Sequence, residues 1–139
     1  MLTDEILYYK KGFKYQVAKR CSFQLVNIRP ERHIFAHWFS LSKSGLLTVE
    51  DGYAWDGASG PTIDTKSSMR ASLIHDIGYQ IMRMDLMPST ARHAWDTELY
   101  SWCRRDKMWS VRAMVWREAL RKFATAYLPE HRKKTLLAP

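Results

Sequence analysis

The apolar residues of this chain change their spacing once, and the change falls across the short stretch "WDGASGP" at residues 55–61. Before it, aromatic and β-branched residues crowd into short runs. "ILYYKKGFKYQVAKRCSFQLVNI" is rich in Tyr, Phe, Val and Ile, and Lys11-Gly12 is placed to turn a hairpin. "HIFAHWFSL" and "LLTVEDGYAW" continue the strand-like pattern on either side of the turn-like "SKSG". After residue 65 the spacing becomes helical. "TKSSMRASLIHDIGYQIMRMD" carries apolar residues at 74, 77, 81 and 84, one face of a helix. An α+β fold is expected, with an N-terminal antiparallel β portion followed by three helices.

The helical half divides further. "LMPST" interrupts the first helix, with Pro88 disfavouring helix at Met87 and Ser89 or Thr90 available as a cap. "ARHAWDTELYSWCRRD" reads as the second helix. In the third, Trp109, Ala113, Trp116, Leu120, Phe123 and Tyr127 follow at steps of four, three, four, three and four, with Arg117, Arg121 and Lys122 off that stripe. The stripe reads as core rather than as a membrane-inserting face. Pro129 ends it. The expected organisation is one domain over 1–139: β portion 1–55, glycine-containing loop 56–66, helical portion 67–128 and basic tail 129–139.

Composition narrows the class. An apolar share of 46% and a charged share of 26% are those of a globular protein. No apolar run is long enough for a spanning helix, and "MLTDEILYYKKGF" lacks the apolar centre of a signal peptide. Cys21 and Cys103, the only cysteines, are too few for a disulfide framework and read as reduced thiols. The formal charge is +8, and residues 101–139 hold +7 of it, with ten Lys or Arg against Asp106, Glu118 and Glu130. Such a segment attracts phosphate, on an anionic phospholipid surface or in nucleic acid. No nucleic-acid motif accompanies the charge, so nucleic acid ranks last among the partners.

The stretch "ASLIHDIGYQ" places a His-Asp pair inside an apolar helix. If the chain reverses near residues 85–88, the first two helices form an antiparallel hairpin, and His75 and Asp96, centred on 85.5, lie level across it. Tyr79 and Tyr100 sit one turn along from His75 and Asp96, each on the same face as its neighbour. A carboxylate facing an imidazole fixes its tautomer and raises its basicity, as a general base requires. Asp76 points about 100° around the helix from His75 and is placed to reach a cation. Asp56 leads into the loop holding Gly57 and Gly60, where inward carbonyls and carboxylates make hard ligands suited to calcium. Gly78 is expected to allow close approach by the second helix or by a ligand.

Two resemblances attach to these residues. "WDGASGPTIDTKSSMRASLIHDIGYQ" with the later "RHAWDTELY" resembles a family of small bacteriophage proteins that share an Asp-x-Ala-Ser-x-Pro loop, a His-Asp-x-x-Tyr helix and a downstream Asp. The resemblance spans roughly residues 45–125 and implies a phage origin, with virion components as possible partners. Its implied location is the cytoplasm of the infected bacterial host, or the virion. "HDIGY" followed by Asp96, with Cys103 seven residues beyond, is also similar to the core of calcium-dependent phospholipases A2, above all the small bacterial and viral members. That similarity implies His75 as general base, Asp96 as its orienting partner, Tyr79 as a hydrogen-bonding member of the network, and Asp76 with Asp56 and Gly57 as calcium ligands. The paired cysteines of the secreted phospholipases are absent here.

Other readings use the same letters. "LIHDIG" resembles the signature of HD-type phosphohydrolases, with His33 or His37 as the upstream ligand, but those histidines lie in the strand-like "HIFAHWFSL". Their last Asp also usually lies much further along than Asp96. A non-catalytic phage structural or accessory protein, in which the His-Asp network only holds the hairpin in register, is the architectural alternative. His93 reads as exposed, Trp95 and Trp102 as core, and Ser59 as no nucleophile.

Overall fold

The computed structural model describes Leu7, Tyr9–Lys10, residues 15–57 and residues 65–123. Among the described residues, seven short strands precede the helices: β1 (Tyr9–Lys10), β2 (Tyr15–Val17), β3 (Cys21–Gln24), β4 (Ile34–Phe35), β5 (Phe39–Leu41), β6 (Leu46–Val49) and β7 (Ala54–Trp55). They form two antiparallel sheets, one ordered β1-β2-β7 and the other β3-β6-β5-β4. Strands β1 and β2 pair as the early hairpin requires, with Tyr9 opposite Val17. The Lys11-Gly12 turn itself lies outside the described residues.

Register gives the larger sheet its apolar face. Cys21 and Phe39 both oppose Val49, while Phe23 and Leu41 both oppose Leu47, so these six side chains share one side. All six are buried. The other side carries Ser22 and Thr48, whose hydroxyls lie 3.1 Å apart. The "SKSG" turn joins β5 to β6, and Gly45 sits there at φ +86°, a conformation other residues avoid. "HIFAHWFSL" is not one strand. It folds as the β4–β5 hairpin, closed by the Ala36 N–H on the Phe39 carbonyl at 2.9 Å.

Three α-helices follow among the described residues: α1 (Lys66–Arg83), α2 (Arg92–Arg105) and α3 (Ser110–Phe123). At the start of α1, the Thr65 N–H donates to Ser68 Oγ at 2.8 Å, satisfying a donor that the helix leaves open. Helix α1 ends with Asp85 at φ +58° and the Leu86 N–H on the Ile81 carbonyl; α2 ends the same way, with Lys107 at φ +69° and the Met108 N–H on the Cys103 carbonyl. Neither Ser89 nor Thr90 caps α2. A 3₁₀ turn, Ser89–Ala91, runs directly into it, with Ala91 at the cap position.

Helices α1 and α2 pack together as the hairpin, and the apolar face of the larger sheet meets them. Phe23 stands edge-on to Trp102 with ring centroids 5.6 Å apart. Buried side chains from both portions form one hydrophobic cluster, each worth about 1.5–3 kcal/mol relative to exposure. Trp95 and Trp102 are within it. The stripe on α3 is partly so: Ala113, Trp116 and Leu120 are buried, but Trp109 is 83% exposed. The Phe123 side chain, Tyr127 and the basic tail lie outside the described residues. Among the described residues no helix is long and apolar enough to cross a membrane.

Candidate functional site

The antiparallel hairpin brings His75 and Asp96 into contact. His75 Nε2 lies 2.6 Å from Asp96 Oδ1, and the Tyr79 hydroxyl donates to the same oxygen at 2.9 Å. Facing a carboxylate oxygen, Nε2 serves as the donor, and in the neutral imidazole Nδ1 is then the acceptor. No described residue hydrogen-bonds to Nδ1. The Tyr79 ring also lies against the imidazole, with centroids 4.3 Å apart. Burial and the Asp96 charge push the Tyr79 phenol well above its ordinary pKa, so it remains a donor. Asp96 is fully buried, whereas His75 keeps 7% of its surface. The carboxylate is therefore sealed, and the imidazole keeps a small accessible surface.

Asp76 takes a different direction from the same helix. It is half-buried, and Tyr53 donates its hydroxyl to Asp76 Oδ2 at 3.3 Å and to Gln80 Oε1 at 2.8 Å. Burial raises the Asp76 carboxyl above its usual range. Arg83, His75 and the Tyr53 hydroxyl pull it back, and Asp56 pushes it further up. Asp56 and Asp76 thus feel each other's charge. Asp56 is exposed; Gly57 beside it is buried at φ +82°. Trp55 fixes this end of the sheet through its indole N–H on Ser72 Oγ at 3.0 Å.

Two carboxylates beside a carbonyl-bearing turn suit a hard cation in donor type. No cluster of three or more His, Cys, Asp or Glu able to hold a metal occurs among the described residues. A calcium ion here would complete its shell with backbone carbonyls and water. The Ala58-Ser59-Gly60 part of the loop lies outside the described residues.

Among the other described histidines, His33 and His37 have local partners. His33 Nδ1 accepts the Lys43 N–H at 3.1 Å, and the His37 ring stands edge-on to Trp38. His93 is exposed. Tyr100 carries the Arg117 guanidinium over its ring at 4.6 Å, and only Tyr79 of the two tyrosines bonds to Asp96.

Sequence reasoning missed Glu98. Its fully buried carboxylate accepts the Asn27 N–H at 2.7 Å on one oxygen, and the Val26 N–H and Trp102 Nε1–H, each at 2.8 Å, on the other. The acid clasps the chain after β3 onto α2. Arg70 likewise forks onto Asp106, Nε to Oδ2 at 3.0 Å, and ties α1 to the end of α2.

The fold class is α+β, with the hairpin of α1 and α2 carrying the His-Asp pair. No protein-family model matches the chain, and neither the curated proteins nor the solved structures contain a match.

Proposed function

We propose that this is a phage-encoded, calcium-dependent hydrolase of the phospholipase-A2 type, acting on the ester bonds of phospholipids. One observation carries the reading: Asp96 Oδ1 holds His75 at Nε2, and Nδ1 has no hydrogen-bond partner among the described residues. Nδ1 then accepts a proton from a water molecule as its oxygen attacks the ester carbonyl carbon. Nδ1 returns that proton to the departing alkoxide as the ester C–O bond breaks, releasing fatty acid and lysophospholipid. The imidazolium that forms faces the Asp96 carboxylate, which stabilises it. Tyr79 keeps that carboxylate oriented. Asp76, with Asp56 and the Gly57 carbonyl, would hold calcium, which when bound supplies positive charge for the developing oxyanion. The Tyr53 hydroxyl orients Asp76, and the Arg83 charge favours its ionised form.

The test is fatty-acid release from mixed phospholipid vesicles with calcium or with chelator. Release that depends on calcium and falls by about 10²–10⁴ in His75→Gln is expected for a general base. A folded wild-type protein that releases nothing from any lipid would overturn the reading.

A second reading rests on the burial of the same pair. His75, Tyr79 and Asp96 join α1 to α2 through one oxygen, as an architectural network does. A phage accessory protein of this kind would lose thermal stability in His75→Gln and have no hydrolysis to lose.

A further inference from the structure

Helix α3 buries one face and exposes the opposite one. Ala113, Trp116 and Leu120 are turned into the core, while Val111, Met114 and Val115 stand three and four residues apart on the other side, Val111 65% and Val115 55% exposed. Trp109 projects at the entrance to the helix. Apolar side chains at this spacing, led by an exposed tryptophan, are more than the single exposed residues any surface carries.

Basic side chains outnumber acidic ones around this face among the described residues. Arg104, Arg105 and Lys107 precede Trp109 and are exposed, and Lys122 lies two turns below Val115 on the same face. Glu118 falls within the face, but Arg117 and Arg121 hold it at 3.4 and 3.2 Å. Asp106, the other acid at this end, is taken by Arg70. Tryptophan and aliphatic side chains rimmed by cations match the boundary of an anionic bilayer, where the indole sits at headgroup level and the cations meet phosphate. A second copy of the chain would set one cationic rim against another.

We propose that the outward face of α3, from Trp109 to Lys122, docks this protein on an anionic phospholipid surface. The docking is separate from hydrolysis at His75 and would hold for a protein whose site never turns over.

The experiment is cosedimentation of the full chain with vesicles of phosphatidylcholine alone or mixed with phosphatidylglycerol. Chelator is present throughout, so binding is read without hydrolysis. Binding to the anionic vesicles only, weakened by salt, is expected. Trp109→Ala and Val115→Asp alter exposed positions and leave the core intact, and each should bind about tenfold more weakly or worse. Phe35→Ala, on the distant β4–β5 hairpin, should bind as the wild type does. Absence of binding, equal binding to neutral vesicles, or loss in Phe35→Ala but not in the α3 variants would each overturn the proposal. Self-association abolished by Val115→Asp, without vesicle binding, would assign the face to a second copy instead.

Discussion

Gly78 of α1 lies directly under the indole of Trp95 from α2. A Cβ at residue 78 would stand 2.7 Å from Trp95 Cε2 and closer still to Cδ2 and Cε3. Trp95 is fully buried, so its ring has nowhere to retreat. Alanine would gain about 1 kcal/mol in helix propensity, but forcing the two helices apart costs about 1–3 kcal/mol or more. The clash wins. Gly78→Ala should therefore unfold at lower temperature and lower urea concentration, and an unchanged or raised midpoint would show that the helices do not meet this closely.

Glu98→Gln tests the clasp between sheet and hairpin. An amide group must turn its NH₂ toward at least one of the donors on Val26, Asn27 or Trp102. Leaving such buried donors unpaired costs about 1–3 kcal/mol apiece. Urea denaturation should show a loss of about 2–4 kcal/mol, and a loss under about 1 kcal/mol would mean the carboxylate does little for the fold.

Asp76 should cost the fold stability at neutral pH. Its carboxyl titrates above its ordinary value of 3.8 in the folded protein, chiefly through burial. The neutral acid is therefore the form that favours folding. That contribution is complete below the ordinary value and is lost as pH rises through the raised one. Asp76→Asn mimics the neutral acid at every pH. In chelator, melting temperatures should place the variant above the wild type at neutral pH, with the gap closing in acid. A wild type that is the more stable at neutral pH would contradict this.

Cys103 should be silent toward thiol reagents. It is buried, and burial together with the nearby Asp106 charge pushes its pKa up to about 12. Thiolate is then scarce at neutral pH, and access is closed. Cys21 is buried as well. Alkylation should leave the native protein unmodified and label two thiols after unfolding in denaturant; rapid labelling of Cys103 in native buffer would refute the burial.

How far the sequence could be read depended on whether both halves of an interaction leave a trace in it. The opposition of His75 and Asp96 was readable, because a proline-marked reversal and an even helical rise place equidistant residues level. Gly78 signalled a close approach, and the structure supplies Trp95 as the group approaching. Glu98 gave no sign, since its partners at 26 and 27 are backbone amides, which every residue possesses. The β4–β5 hairpin was hidden because its turn at Ala36–Trp38 uses neither Gly nor Pro. Trp109 fits the periodic count but precedes the first residue of α3, where helical spacing does not yet apply. The ends of α1 and α2 were similarly masked, with Asp85 and Lys107 in the left-handed conformation that glycine usually marks.

The clasp at Glu98 also governs what would happen if the chain were cut between Gly57 and Thr65. One fragment would carry the amides of Val26 and Asn27, the other a carboxylate left with the Trp102 indole as its remaining donor. Neither piece could close its interior alone. The helical piece would have to find water for the carboxylate oxygens that Val26 and Asn27 had held, and each piece would show its apolar face to solvent. Mixed together, the two would recover a native-like state only by reuniting, so complementation between separated halves would report directly on a single carboxylate.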